Sequence, residues 1–169
     1  KKSSQRKTQQ AMQPELKPIE QIQEYLLFLL FNAPEEEVIG AAKVLTQLKI
    51  TLPQANLILE QLTDDDGEFL LSSFASKLSE DLKASLMEWS HHPDYLKEFK
   101  PANWQKEWKK SIGKFQRLKI VGEIEQLNQK IVALENEPDS NKNDQQVQKH
   151  LSKIVKLQAQ LKQVGTFEF

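Results

Sequence analysis

The chain has 169 residues, a formal net charge of −1, 28% charged and 38% hydrophobic residues, and no cysteine. That length suits one domain or two small ones with a real core. The missing cysteine excludes disulfides and Cys-ligated zinc or redox sites and suits a reducing cytosol, while no apolar run reaches the roughly 18 residues of a membrane-spanning helix.

The near-neutral total hides a segregation. Residues 1–17 carry net +4, residues 18–110 net −7 and residues 111–169 net +2. So acidic a middle is a poor nucleic-acid platform. Gln, Lys, Leu and Glu dominate, and all four are good helix formers.

Residues 1–17 are polar and lack periodicity. They read as a flexible linker, with Lys1, Lys2, Arg6 and Lys7 as a solvated basic cluster that at most touches phosphate weakly. They hold no apolar signal region and no initiator Met, so the chain reads as the C-terminal piece of something longer.

The spacing then predicts a first helix over Pro18 to Phe31, with Ile19, Ile22, Leu26, Leu29 and Leu30 on one face and Tyr25, Leu27, Phe28 and Phe31 widening it. An apolar surface that broad belongs at the centre of a bundle. Pro34 opens a second helix, with Glu35, Glu36 and Glu37 at its positive end and Val38, Ile39, Ala42, Leu45 and Leu48 inward. Thr51 is expected to cap a third, with Pro53 in its first turn and Ile58, Leu59 and Leu62 inward. Asp64, Asp65 and Asp66 on one short loop do not converge on a cation, and the EF-hand pattern is missing. Phe69, Leu70, Phe74 and Leu78 form a fourth helix. Ser79 caps a fifth, with Leu82, Leu86 and Met87 inward. His91 and His92 precede Pro93 in a helix-ending turn. Adjacent histidines diverge and no Cys completes a site, so no metal is assigned.

Pro101 starts a last long helix, continuous from about Ala102 to Leu134, with Gly113 and Gly122 tolerated inside it. Trp104 and Trp108 share a face, as do Ile112 and Phe115. The aromatic set reads as the joint between bundle and hairpin, with a base-stacking surface as the weaker option. Further on, Ile120, Ile124, Leu127, Ile131 and Leu134 form one stripe. Val147, Leu151, Ile154, Leu157, Leu161 and Val164 form another, across the breaker cluster of residues 136–143. Pairing Leu134 with Val147, Leu127 with Ile154, Ile124 with Leu157 and Ile120 with Leu161 keeps a constant sum of residue numbers, and Ile131 with Leu151 is one off. That is the arithmetic of an antiparallel αα-hairpin. His150 is expected between seam positions, exposed.

The expectation is therefore an all-α protein: a linker (1–17), a bundle of about five or six helices (18–110) and a long helix leading into a projecting C-terminal antiparallel helical hairpin (111–169). Phosphate-loop, dinucleotide, nucleophile-elbow and zinc-protease motifs are absent from the sequence, so it reads as an interaction module, not an enzyme, with no cofactor.

Two stretches carry a family resemblance. IEQIQEYLLFLLFNAPEEEV (19–38) resembles the opening helix, and WKKSIGKFQRLKIVGEIEQLNQKIVALENEPDSNKNDQQVQKHLSKIVKLQAQLKQV (108–164) the closing element, of the C-terminal helicase-binding domain of bacterial DNA primase of the DnaG type. The carriers are the Leu-rich run ending in Asn and Pro, the Arg117-Leu118-Lys119 stretch, the Ile/Leu seam, the polar tip and the second arm. The resemblance implies a bundle, and a hairpin that docks on the N-terminal domains of the hexameric replicative helicase. It also implies a parent enzyme that makes RNA primers in the bacterial cytoplasm at the replication fork. On the residues themselves, Val132, Leu134, Val147, Leu151 and Val155 toward the hairpin's free end are the candidate partner contacts. Leu118 and Val121 either pack on the bundle or join them, and Phe167 and Phe169 either fold back or dock. The alternatives are a single-stranded nucleic-acid module using Lys114, Arg117, Lys119 and the Trp104/Trp108 pair, and a self-associating helical scaffold or adaptor.

Overall fold

The computed structural model of the protein describes residues 17–64, 69–136 and 140–165. They are helical apart from short connections, with no strand among the described residues. The helices are α1 (Pro18–Phe31), α2 (Glu35–Leu48), α3 (Pro53–Thr63), α4 (Leu71–Lys77), α5 (Glu80–Ser90), α6 (Pro93–Glu98), α7 (Trp104–Glu135) and α8 (Ser140–Gly165). Prolines sit in the first turn of α1, α3 and α6, where the missing N–H costs nothing and the fixed φ suits a helix. Pro101 starts a 3-10 turn, Pro101–Asn103, and not the long helix itself.

α1 is the centre of the bundle. Leu26, Leu27, Phe28, Leu29 and Leu30 have no exposed surface, because α1 packs on α2, α5 and α7 at once. The core continues through Val38, Leu45, Ile58, Leu62, Phe74, Leu86 and Trp89. An aromatic group closes one flank, where Phe28 meets Tyr95 at 5.4 Å and Phe99 edge-on at 5.2 Å between centroids.

Polar connections fix how these helices meet. Gln23 is fully buried. Its side-chain amide donates to Ile19 O and Thr51 Oγ1, and its Oε1 accepts from the Thr51 N–H at 2.6 Å. Thr51 therefore ties the α2–α3 connection to α1. It does not cap α3, whose N-cap is Leu52. Ser79 is the N-cap of α5 by position, without a side-chain capping bond. Asn32 Nδ2 donates to Phe28 O and Ser90 O, joining the ends of α1 and α5.

Two expected core residues lie outside. Leu70 is 51% exposed and Met87 44%. Leu70 precedes α4 in extended backbone, so Phe69 and Leu70 point to opposite sides and only Phe69 enters the core. On α5 the inward positions are Leu82, Leu86 and Trp89, steps of four and three that leave Met87 turned away. Residues 65–68 of the aspartate loop lie outside the described residues. The turn expected at His91–His92 is present, and Pro93 begins the short α6.

Lys49 ends α2 in the left-handed region at φ 57°, which costs a residue with a Cβ roughly 1 kcal/mol or more. Lys49→Gly is expected to stabilise the fold by about 1 kcal/mol, read from chemical denaturation; a loss of stability contradicts the strain. Burial holds the Glu24 carboxyl above its usual range, with the nearby His92 opposing the shift. A raised folded-state pKa makes the charged form a penalty at neutral pH. The penalty fades as pH falls through the folded-state value toward the ordinary 4.5. Glu24→Gln should therefore raise the melting temperature at pH 7, with the gain shrinking on acidification.

Candidate functional site

α7 runs unbroken from the bundle into the hairpin, through both Gly113 and Gly122. Its first half is anchored. Trp104, Trp108 and Phe115 lie in the bundle core, with Ile112 and Leu118 packed against it. The two Trp rings stack on each other at 5.5 Å, and Trp104 Nε1 donates to Leu29 O at 2.7 Å in a buried site. They are thereby withdrawn from any base-stacking role. Lys119 Nζ donates to Leu48 O at 2.7 Å, at the negative end of α2 where a cation is favoured. It is thus engaged with the protein itself, whereas Lys114 and Arg117 are exposed.

Packing changes partner between Leu118 and Ile120, inside α7 and beyond residue 111. Leu118 belongs with the bundle, and Ile120 with a second cluster formed, among the described residues, between α7 and α8. Leu127, Ile131, Ile154 and Leu157 are its buried centre, with Ile120, Ile124 and Val147 at its margins. The arms run antiparallel. Asn143 Nδ2 donates to Leu134 O at one end, and Lys153 lies 3.8 Å from Glu123 midway. The polar break is shorter than expected, since α8 already begins at Ser140.

One seam assignment changes. Leu151 is 42% exposed and His150 is half-buried. Alternating steps of three and four from Val147 pass through His150 to Ile154, Leu157, Leu161 and Val164. The imidazole holds the seam position, and Leu151 stands beside it. Leu151 is the apolar choice, but its pair with Ile131 is one off the constant sum, whereas His150 satisfies both that sum and the heptad spacing.

The hairpin has two unlike sides. At about 100° per residue, Val121 and Val132 project from one side of α7, and Glu123 and Lys130 from the other. The Lys153–Glu123 contact matches the sides of the two arms. It places Lys149, Lys153 and Lys156 with Glu123 and Lys130, and Leu151 and Val155 with Val121 and Val132. Val155 is 65% exposed, Val132 56% and Val121 36%. Leu134 and Val147, also candidate contacts, are half-buried. Val147 is occupied in the seam's margin. An open groove on the lysine side of the hairpin base is lined by Gln116, Lys119, Ile120, Gln160, Gln163 and Val164. Phe167 and Phe169 lie outside the described residues, as does the basic segment 1–16.

Among the described residues no group of acidic, His or Cys side chains could hold a metal ion, and no helix is long and apolar enough to cross a membrane. Compared with protein-family models, curated proteins and solved structures, the chain matches none.

Because the hairpin's cluster is separate from the bundle core, its seam can be weakened alone. Ile131→Ala with Leu157→Ala removes two buried contacts worth about 2–5 kcal/mol each. Amide exchange is expected to accelerate across residues 120–164 while α1 keeps its protection. Equal acceleration in both regions contradicts separate units.

Proposed function

We propose that this chain is a docking module whose α7–α8 hairpin binds the N-terminal domain of a bacterial replicative helicase, as the resemblance to the DnaG-type primase C-terminal domain implies. The carrying observation is Val132 and Val155, more than half exposed on one side of a hairpin whose seam is already filled by other residues. Neither is needed to hold the arms together, and with Leu151 they offer adjacent apolar contacts. Small apolar anchors spaced along helices are what helix-in-groove recognition uses. The pattern of residues 19–38 and 108–164 supplies the identity of the partner. In this reading the parent is a primer-making enzyme acting at the replication fork in the bacterial cytoplasm. The present segment tethers it to the helicase without a cofactor or a catalytic group of its own.

The anchored base favours docking over a stacking-based nucleic-acid module. Trp104 and Trp108 are buried and Lys119 is bonded to the backbone, so that alternative loses its central residues.

Titration against a helicase N-terminal domain tests the proposal. Val132→Asp with Val155→Asp is expected to weaken binding at least about tenfold, some 1.4 kcal/mol. Leu57→Asp, on the exposed side of α3, should leave it unchanged. No binding of the unmodified chain at about 50 µM, a free energy of roughly −6 kcal/mol, contradicts the proposal, as does equal affinity of the double variant.

A further inference from the structure

We infer that the opposite side of the hairpin is a second interaction surface, one that lies along the phosphate backbone of double-stranded nucleic acid. Lys130 of α7 and Lys149, Lys153 and Lys156 of α8 are all exposed and share this side. Glu123 is the acid among them and lies against Lys153. The other exposed acids of the two arms, Glu125, Glu135 and Asp144, project from the remaining sides. Apart from Lys162, which projects with Leu151 and Val155, the charge of the described arms is thus sorted across the hairpin's width.

The residue types choose the partner. Protein interfaces are enriched in aromatic residues and Arg and depleted in Lys, and this side has lysines with Gln126 and Gln160 beside them. Lys and amide side chains are the usual backbone contacts of nucleic-acid binders. Single strands are held largely by stacking on aromatic rings, and among the described residues the arms carry no Phe, Tyr or Trp beyond Phe115, which is buried in the bundle. That leaves the regular charge of a duplex. Lys149, Lys153 and Lys156 step by about 6 and 4.5 Å along the helix axis, close enough to meet successive phosphates of one strand. The surface reads charge and not sequence. It does not depend on the docking proposal, since the two sides share no residue.

Binding of the full chain to a labelled mixed-sequence duplex tests this. Four phosphate contacts predict a log–log salt slope of roughly −3 to −4, an affinity loss of about 100-fold between 50 and 200 mM salt. Lys130→Gln, Lys149→Gln, Lys153→Gln and Lys156→Gln together should weaken binding at least tenfold at the lower salt, about 1.4 kcal/mol. Each single variant should reduce the slope by about 0.9. The Val132→Asp, Val155→Asp protein should bind the duplex like the unmodified chain, which separates this surface from the helicase contact. The inference is overturned by full retention in the quadruple variant, by loss on neutralising only Lys1, Lys2, Arg6 and Lys7, by tighter binding to a single strand, or by tighter binding to an acidic polypeptide of equal charge.

Discussion

The hydrogen bond from Trp104 Nε1 to Leu29 O is the contact on which the rest of the arrangement depends. Leu29 lies in the last turn of α1, where carbonyls have no helical N–H to accept from, and it has no access to water there. An unpaired carbonyl in such a place costs roughly 1–3 kcal/mol, so the indole does more than fill space. It fixes the start of α7 against the end of the central helix. Lys119 does the same for α2, through Leu48 O. Both are α7 side chains, and both serve the C-terminal ends of bundle helices. The long helix is held at two points of its first half, and that sets the direction in which its second half leaves.

The second half owes its order to α8. Its buried centre of Leu127, Ile131, Ile154 and Leu157 is small, and among the described residues neither arm packs in another cluster beyond Ile120. A two-helix unit with one seam is marginal unless something fixes one arm. α7 supplies that, because the same helix is rigidly placed in the bundle. The hairpin can then keep Val132 and Val155 exposed on one side and its lysines on the other. In the reading proposed above, the bundle positions, the seam supports, and the residues beside the seam meet partners.

Much of this was legible in the residues. α1 was bounded by Pro18 and by the Asn32-Ala33-Pro34 break, and its all-round apolar surface marked it as central. The hairpin followed from two stripes with a common centre. What escaped was what periodicity does not encode. Gln23 carries no signal in the sequence, because its partner Thr51 is distant along the chain and does not resemble a core residue. Lys119 reads from the sequence as a candidate nucleic-acid contact, and only the approach of α2 turns it to Leu48 O. Leu151 was misplaced because hydropathy outweighed spacing, although the half-buried His150 fits the heptad. The two sides of the hairpin were also hidden. Each arm shows its stripe alone, but which flank of one faces which flank of the other needs the antiparallel pairing and a cross-arm contact such as Lys153 with Glu123.

In the proposed reading, recognition belongs to the far half of the hairpin and support to the bundle. Amide hydrogen exchange of the full chain, with and without a helicase N-terminal domain, tests it most directly. Slowed exchange on binding is expected only in residues 121–135 and 147–158, with α1 to α6 unchanged. Slowing centred on α1 to α6, or no change anywhere at saturating helicase, contradicts it.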